Sequence, residues 1–362
     1  MKWEDVRRLD LEISSLCNAA CPQCGRHPTS SNFVNPILSE KKQWTMDQVE
    51  KYLPKSDLTN ISSYLFNGNY GDFITNINAL EIINYFYEAS SDASFHINTN
   101  GSARTENWWR ELARIPKLKI TFAIDGLEDT HALYRRNTDF NTILRNAQAF
   151  IEEGGDAEWA MTVFEHNEHQ LSLCREMAIK LGFSNFYPRY SYRGTSLVSN
   201  DGIPLYYVSQ AKSLNMYNTQ RTPYSISKIV QMEKEIDAGV YKAKQNHTCI
   251  PLANKFDCMS YREKSIFVGA DWFVAPCCYI GNLGYNYKNH WGYDDFTSKL
   301  SNNGFLYNDL FVTEGKTVKD IVNFSWILDN VVTENVLSIC TKNCQKRVSP
   351  VQISRSQQIQ FA

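Results

Sequence analysis

Three cysteines near the start of the chain have the spacing of metal ligands. The segment SSLCNAACPQCGRH, residues 14–27, places Cys17, Cys21 and Cys24 in a C-x3-C-x2-C pattern. Three thiolates on one loop can converge on one metal centre, but they leave a four-ligand site one ligand short. Two completions are open. Either His27 completes a zinc site, or the thiolates bind three irons of a cubane cluster whose fourth iron takes another ligand.

The bulk composition favours metal ligation over disulfide bonding. The chain has 362 residues, a formal net charge of -2 and ten cysteines. It has no basic cluster of the kind that binds nucleic acid, no signal peptide and no apolar stretch approaching the ~18 residues of a membrane span. We therefore expect a cytoplasmic protein without nucleic-acid or membrane partners. In a reducing compartment its cysteines are expected to bind metal or take part in catalysis.

The first half of the chain alternates short apolar runs with segments of helical periodicity. We predict strands at 7–13, 62–66, 94–98, 119–124, 158–164 and 185–190, and helices at 78–89, 106–115, 141–154 and 169–182. Such alternation is typical of a parallel sheet, either barrel-like or doubly wound. In both arrangements the ligand site lies at the carboxyl ends of the strands, where the cysteine loop follows the first strand.

The pattern fades after about residue 193. We predict a core over residues 1–193, a connector with one amphipathic helix over 194–245, and a small cysteine-bearing domain over 246–349. Residues 350–362 form a tail.

The ordered strand-end motifs resemble the radical S-adenosylmethionine superfamily. Its C-x3-C-x2-C signature is matched by Cys17, Cys21 and Cys24, and three later segments follow in the family's order: NTNG (98–101), IDGLEDTHALYRR (124–136) and TVFEHNEHQL (162–171). The resemblance covers residues 7 to about 190 and implies an α/β fold, a partial (β/α)6 TIM-like barrel. It also implies a 4Fe-4S cluster held by the three cysteines, with an open iron that S-adenosylmethionine chelates.

The resemblance also implies contacts to S-adenosylmethionine. In GNYGDF (68–73), Gly71 and Asp72 stand where relatives carry Gly-Glu, so Asp72 is expected to accept a hydrogen bond from the methionine amine. Arg135 matches a Tyr-Arg element and is expected to pair with the carboxylate, while Asn98 is a candidate for a ribose or methionine contact. No catalytic acid or base is assigned, although His131, His166 and His169 lie near strand ends as candidate proton-transfer groups or polar caps.

The late cysteines resemble the C-terminal extension of the twitch and SPASM subgroups. CMSYREKSIFVGADWFVAPCC reads as a cysteine, a two-strand hairpin and a cysteine pair, and CTKNC follows. The predicted ligands of one auxiliary 4Fe-4S cluster are Cys258, Cys277, Cys340 and Cys344. Cys278 is placed on a strand facing away from the site and becomes the ligand if the register shifts by one; the role of Cys249 is open. A zinc site with four thiolates is the alternative.

Together these patterns predict an enzyme that cleaves S-adenosylmethionine reductively and abstracts hydrogen from a substrate. The substrate class is a peptide, a protein side chain or a small polar metabolite. The electron donor is expected to be a low-potential protein such as flavodoxin or ferredoxin. A non-catalytic protein in which iron-sulfur clusters or zinc serve binding or electron transfer is the rival hypothesis.

Overall fold

The computed structural model describes most of the core and part of the C-terminal region. The described residues are 1–22, 24–27, 34–164, 166–190, 197–198, 204–205, 258–284, 292–324, 337 and 340. The predicted connector helix, the tail, Cys249 and Cys344 lie outside these residues.

Six parallel strands form the centre of the molecule. They are β1 (Arg8–Leu11), β2 (Ser63–Phe66), β3 (Ser94–Thr99), β4 (Leu118–Ala123), β5 (Asp156–Val163) and β6 (Asn185–Tyr190). They lie side by side in chain order, each parallel to the next. This sheet confirms the predicted α/β fold of the partial-barrel type, because consecutive parallel neighbours require a crossover after each strand.

The crossovers contain helices with polar N-caps. In this region α1 (Met46–Tyr52), α2 (Ala79–Ala89), α3 (Glu106–Ala113), α4 (Glu128–Tyr134), α5 (Phe140–Glu152) and α6 (Leu171–Lys180) are described. Thr45 forms a capping box with Gln48, and the Thr105 and Asp139 side chains accept from the third residue of their helices. Such caps satisfy backbone N–H groups that a helix start leaves without partners. Helices α1 and α4 were not predicted from the sequence, because each is only seven residues long.

The two faces of the sheet differ in chemistry. Leu9 and Leu11 of β1 belong to the apolar core, whereas Asp10 and Glu12 occupy the alternate positions and are also buried. Neighbouring strands repeat this division, since side chains alternate between faces along a strand. Three polar side chains of the inner face donate to Glu158: Lys119 at 2.9 Å, Tyr187 at 2.8 Å and Thr121 at 3.2 Å.

The C-terminal hairpin extends the same sheet. Strands β9 (Ser265–Val268) and β10 (Val274–Ala275) are antiparallel, which confirms the predicted hairpin, and β9 also pairs in parallel with β1. Two short strands, β7 (Leu197–Val198) and β8 (Pro204–Leu205), form a separate pair. The pairing of β9 with β1 brings the late cysteines to the side of the barrel where the chain begins.

An aromatic contact fixes the hairpin against α1. The rings of Trp44 and Trp272 stack with centroids 4.0 Å apart, and Tyr52 meets Trp272 edge-on at 5.0 Å. The Trp44 indole N–H donates to the carbonyl of Gly269 at 3.1 Å. Trp272 has φ of 64°, a left-handed conformation that costs a non-glycine residue about 1–2 kcal/mol. Stacking and burial of the indole offset that cost.

The remaining described helices flank the hairpin. They are α7 (Met259–Arg262), α8 (Cys278–Gly281), α9 (Tyr293–Asn302) and α10 (Val318–Phe324). Single 3-10 turns are found at Trp3–Asp5, Pro36–Leu38, Lys55–Asp57, Phe73–Thr75, Glu168–Gln170 and Tyr307–Leu310. Across the described ranges, every helix falls short of the length and apolar character needed to cross a bilayer.

Candidate functional site

The three-cysteine loop leaves the carboxyl end of β1 and is fastened at several points. The amide of Ala20 donates to the carbonyl of Arg136 at 2.9 Å, and the Asn18 side chain donates to the carbonyl of Ser102 at 3.2 Å. A tight turn follows, in which the amide of Cys24 donates to the carbonyl of Cys21 at 3.3 Å. The loop therefore rests on segments that follow β3 and α4, at the sheet edge where parallel folds bind ligands.

The three thiols are neighbours; Cys21 is buried, and Cys17 and Cys24 are half-buried. Burial raises the pKa of Cys17, and the charges of Asp72, Cys21 and Cys24 raise it further. Burial likewise raises the pKa of Cys21 to about 11, while Arg135 lowers it and Cys24 raises it. The thiols are therefore close enough to influence one another electrostatically, and burial favours the neutral SH form of Cys17 and Cys21.

Two N–H donors point at the sulfurs of this loop. A guanidinium nitrogen of Arg135 lies 3.8 Å from Cys21 Sγ, and the side-chain amide of Asn100 lies 3.7 Å from Cys17 Sγ. N–H groups aimed at sulfur stabilise thiolate charge and tune a bound cluster. Asn100 was not singled out from the sequence, although it lies inside the NTNG motif.

Arg135 is already paired within the protein. Its Nε donates to Asp125 Oδ2 at 2.6 Å, and the Asp125 side chain is fully buried. Burial opposes the charge of Arg135, but Asp125 and Cys21 outweigh it and raise the pKa of the guanidinium. The predicted contact with a cofactor carboxylate stays a prediction, and it must use nitrogens that Asp125 leaves available.

The Asp72 carboxylate holds the turn after β3. Oδ2 accepts from the amide and side-chain nitrogens of Asn100 at 2.8 and 2.7 Å, and Oδ1 accepts from the Thr99 hydroxyl at 2.7 Å. Oδ1 also accepts from the amide of Ile74 at 3.3 Å. Burial raises the pKa of Asp72, and these donors act against that shift. The predicted role of Asp72 toward the methionine amine therefore competes with four donors inside the protein.

Gly71 lies where no larger residue fits. A Cβ added to it would come 1.7 Å from the carbonyl oxygen of Ser14. Its amide donates to Glu12 Oε1 at 2.9 Å, and the amide of Tyr70 donates to the same oxygen at 2.6 Å. Because both amides bind it, Glu12, which the sequence did not suggest, is central to this part of the site.

Asn98, the remaining predicted contact, is half-buried on the inner face of β3 beside Thr121 of β4.

The described late cysteines also come together. Burial raises the pKa of Cys277 strongly, and Cys278, Cys340 and Cys258 each raise it further through their charge. The prediction that Cys278 lies on a strand is wrong: Cys277 is the N-cap of α8, and Cys278 is the first residue of that helix. Cys277 is extended at φ of -159° and Cys278 is helical, so the alternation of side chains along a strand does not apply to this pair.

Residues 69–72 connect the two cysteine groups. The Asn69 side chain donates to the carbonyl of Cys278 at 2.9 Å, and the Tyr70 hydroxyl donates to the carbonyl of Asn282 at 3.2 Å. Two residues later, the amide of Asp72 donates to the carbonyl of Leu16 at 2.8 Å. One short segment thus contacts the loop of the first cysteine group and α8, the helix that begins just after Cys277.

The histidines have different settings. His131 is fully buried; its Nδ1 accepts from the amide of Asp125 at 3.1 Å and its Nε2 meets the Thr138 hydroxyl at 3.0 Å. Burial lowers its pKa to about 4, so it is neutral near pH 7. His166 stacks on Phe164 at 5.1 Å, and burial lowers its pKa to about 4 as well. The amide of His27 donates to the carbonyl of Cys24 at 2.7 Å.

The donor set fits an iron-sulfur cluster, although it is not a preformed metal site. Within the described ranges, no three Cys, His, Asp or Glu side chains already have the arrangement of metal ligands. The thiols of the first loop are nevertheless close together and at least half-buried, and two of them lie near N–H donors. Those are the conditions that iron-sulfur sites require, namely soft ligands, N–H groups near sulfur and exclusion of water.

No protein-family model and no curated protein sequence matches the chain. Solved structures do match its fold. A structure described as tagged anSMEcpe with bound AdoMet has a TM-score of 0.50 at 16% identity, over 79% of this chain and 74% of that one. SuiB of Streptococcus suis bound to S-adenosylmethionine has a TM-score of 0.48 at 12% identity, over 77% of this chain and 62% of that one. BtrN in complex with AdoMet and 2-DOIA has a TM-score of 0.43 at 13% identity, over 91% of this chain and 88% of that one. The match thus spans less than two thirds of SuiB, and at these identities the likeness is one of fold.

Proposed function

We propose that this chain is a radical S-adenosylmethionine enzyme. The observation that carries the proposal is the loop of Cys17, Cys21 and Cys24, whose three thiols, one buried and two half-buried, lie together at the carboxyl edge of a partial barrel. The anSMEcpe structure, which shares this fold, holds AdoMet. When bound, a 4Fe-4S cluster with one open iron supplies the electron that splits S-adenosylmethionine into methionine and a 5'-deoxyadenosyl radical.

The chain's own residues would then position the cofactor. The three cysteines bind the irons, and Asn100 and Arg135 place N–H groups near two of the sulfurs. Gly71 admits close approach of the backbone at the loop, and Asn98 faces the inner side of the sheet. Asp125 keeps Arg135 oriented toward the loop through their 2.6 Å ion pair. The substrate, a peptide or a small polar metabolite, would enter along the inner face.

We further propose that the late cysteines bind one auxiliary 4Fe-4S cluster of the twitch or SPASM kind. Cys258, Cys277 and Cys340 are neighbours by their mutual charge effects, and Cys344 is the proposed fourth ligand. A low-potential donor such as flavodoxin or ferredoxin would supply electrons. Zinc at one or both cysteine groups, in a protein that binds or transfers electrons without catalysis, is the rival function, because the same thiol sets bind zinc.

Metal analysis combined with electron paramagnetic resonance tests the proposal. Chain reconstituted anaerobically with iron and sulfide is expected to bind about eight irons, and the triple variant Cys17→Ala, Cys21→Ala, Cys24→Ala about four. Adding S-adenosylmethionine to the reduced wild-type protein is expected to change the resonance of the first cluster. The triple variant should show no such change. Tightly bound zinc with no iron at either group would favour the rival.

A further inference from the structure

An ion pair lies directly beside one cysteine of the first loop. The Nε atom of Arg135 donates to Asp125 Oδ2 at 2.6 Å, and a terminal guanidinium nitrogen of the same residue lies 3.8 Å from Cys21 Sγ. The Asp125 side chain is fully buried, and that of Arg135 is 20% exposed. One positive and one negative charge are therefore held close to Cys21, in a region where water and salt screen them little.

The carboxylate of this pair is fixed by both neighbouring strand ends. Asp125 Oδ1 accepts from the amide of Thr162, near the end of β5, at 2.5 Å. The backbone amide of Asp125 donates to His131 Nδ1 at 3.1 Å, and its carbonyl accepts from the Asn167 side chain at 3.2 Å. Contacts on the backbone and on both carboxylate oxygens thus hold the negative charge in one place relative to the cysteine loop.

The guanidinium and the cysteine loop are fastened to the same turn after α4. The amide of Ala20, the residue before Cys21, donates to the carbonyl of Arg136 at 2.9 Å. The carbonyl of Arg135 accepts from the Thr138 hydroxyl at 2.5 Å. Shared contacts with one turn therefore position the guanidinium against the sulfur of Cys21.

We propose that the ion pair of Asp125 and Arg135 balances the reduction potential of the cluster that Cys21 helps to bind. The inference rests on the proposed function, because it needs an iron-sulfur cluster at the first loop. Reduction adds one electron to that cluster, and dithionite supplies it in the test. A nearby positive charge favours the reduced form and a nearby negative charge opposes it. In the intact pair the two effects offset each other, so removing either partner reveals the effect of the other.

Redox titration of the reconstituted protein, followed by electron paramagnetic resonance, tests this balance. Asp125→Asn leaves the guanidinium without its counter-charge and is expected to raise the midpoint potential of the first cluster. Arg135→Gln leaves the carboxylate alone and is expected to lower it. We expect each variant to change the ratio of reduced to oxidised cluster about tenfold, which is about 59 mV for one electron. The double variant should return close to the wild-type potential.

The titration is run without S-adenosylmethionine, so that a contact between Arg135 and the cofactor cannot affect the result. The first cluster is identified by the resonance that the triple variant Cys17→Ala, Cys21→Ala, Cys24→Ala lacks. Arg135→Lys keeps the positive charge and should stay near the wild-type potential. If Asp125→Asn does not fold, the comparison of Arg135→Gln with Arg135→Lys decides the question.

Glu158→Gln is the matched control in a second ion pair. Glu158 accepts from Lys119 at 2.9 Å, and its side chain is 3% exposed. Lys119 precedes Asp125 by six residues, roughly 20 Å at about 3.3 Å per residue of strand, so this pair lies far from the loop. Glu158→Gln is expected to leave the potential of the first cluster unchanged.

Two sets of outcomes separate this inference from the proposed function. Shifts of the same sign in Asp125→Asn and Arg135→Gln, equal potentials in all variants, or an equal shift in Glu158→Gln overturn the inference and leave the proposed function intact. Wild-type protein that binds no iron at the first loop overturns the proposed function, and this inference with it.

Discussion

Replacing Asp72 separates a structural role from a cofactor contact. Its carboxylate is 6% exposed and accepts four hydrogen bonds, from the amides of Ile74 and Asn100, the Asn100 side chain and the Thr99 hydroxyl. In Asp72→Ala the two backbone amides lose this acceptor, while the Asn100 side chain keeps its 2.9 Å bond to Asn18. At about 1–3 kcal/mol for each buried amide left without a partner, we expect a loss of about 2–6 kcal/mol in the free energy of unfolding.

Asp72→Asn is the sharper variant because it keeps the size of the side chain. One oxygen becomes an NH2 group that faces donors, so we expect a loss of about 2 kcal/mol. The assay is urea unfolding of the metal-free, reduced chain followed by tryptophan fluorescence. Asp92→Asn, in a fully exposed ion pair with Lys117, is the control and should change stability by less than about 1 kcal/mol. If Asp72→Asn leaves the unfolding midpoint unchanged but weakens S-adenosylmethionine binding, the structural role is refuted.

Three further results are expected. The folded-state pKa of His131, about 4, lies below its ordinary 6.5, so between these pH values the unfolded chain binds a proton that the folded chain does not. The free energy of unfolding should therefore be at its full value above pH 6.5 and fall by up to about 3 kcal/mol towards pH 4. In urea titrations, His131→Gln should reduce this loss. Gly71→Ala should lower the thermal midpoint and the bound iron, because its Cβ meets Ser14 O at 1.7 Å; Gly154→Ala, with open space around it but φ of 94°, should retain the iron. Cys277→Ser should lose about four irons, whereas Cys278→Ser should keep them, and equal iron contents would refute our choice of ligand.

The sequence predicted the sheet well because its signal is local. Apolar runs and intervening periodic segments marked all six strands of the core, and the turn GAD between two apolar runs marked the hairpin of β9 and β10. Helices α1 and α4 escaped notice because a helix of two turns contains too few apolar positions to show a period. The pairing of β9 with β1 joins residues more than 250 positions apart, and no local pattern encodes it.

Part of the site was equally inaccessible from the sequence. Cysteine spacing predicted the grouping of the first three thiols, since ligands on one loop are local. Glu12 looked like an ordinary strand residue, and its importance comes from the amides of Tyr70 and Gly71 folding onto it. The assignment of Cys278 to a strand failed because residues after β10 turn at once into α8, where the backbone amide of Gly281 binds the carbonyl of Cys277 at 2.8 Å.

The formation of 5'-deoxyadenosine tests the central claim most directly. The chain is reconstituted anaerobically with iron and sulfide, reduced with dithionite and incubated with S-adenosylmethionine, and the nucleoside is quantified by chromatography. Wild-type protein and Cys174→Ala, which alters a buried cysteine of α6 away from both groups, are expected to form deoxyadenosine. Cys17→Ala, Cys21→Ala and Cys24→Ala should form none above background. Equal formation in wild type and these three variants, or none in any protein that has bound its iron, would contradict the proposed function.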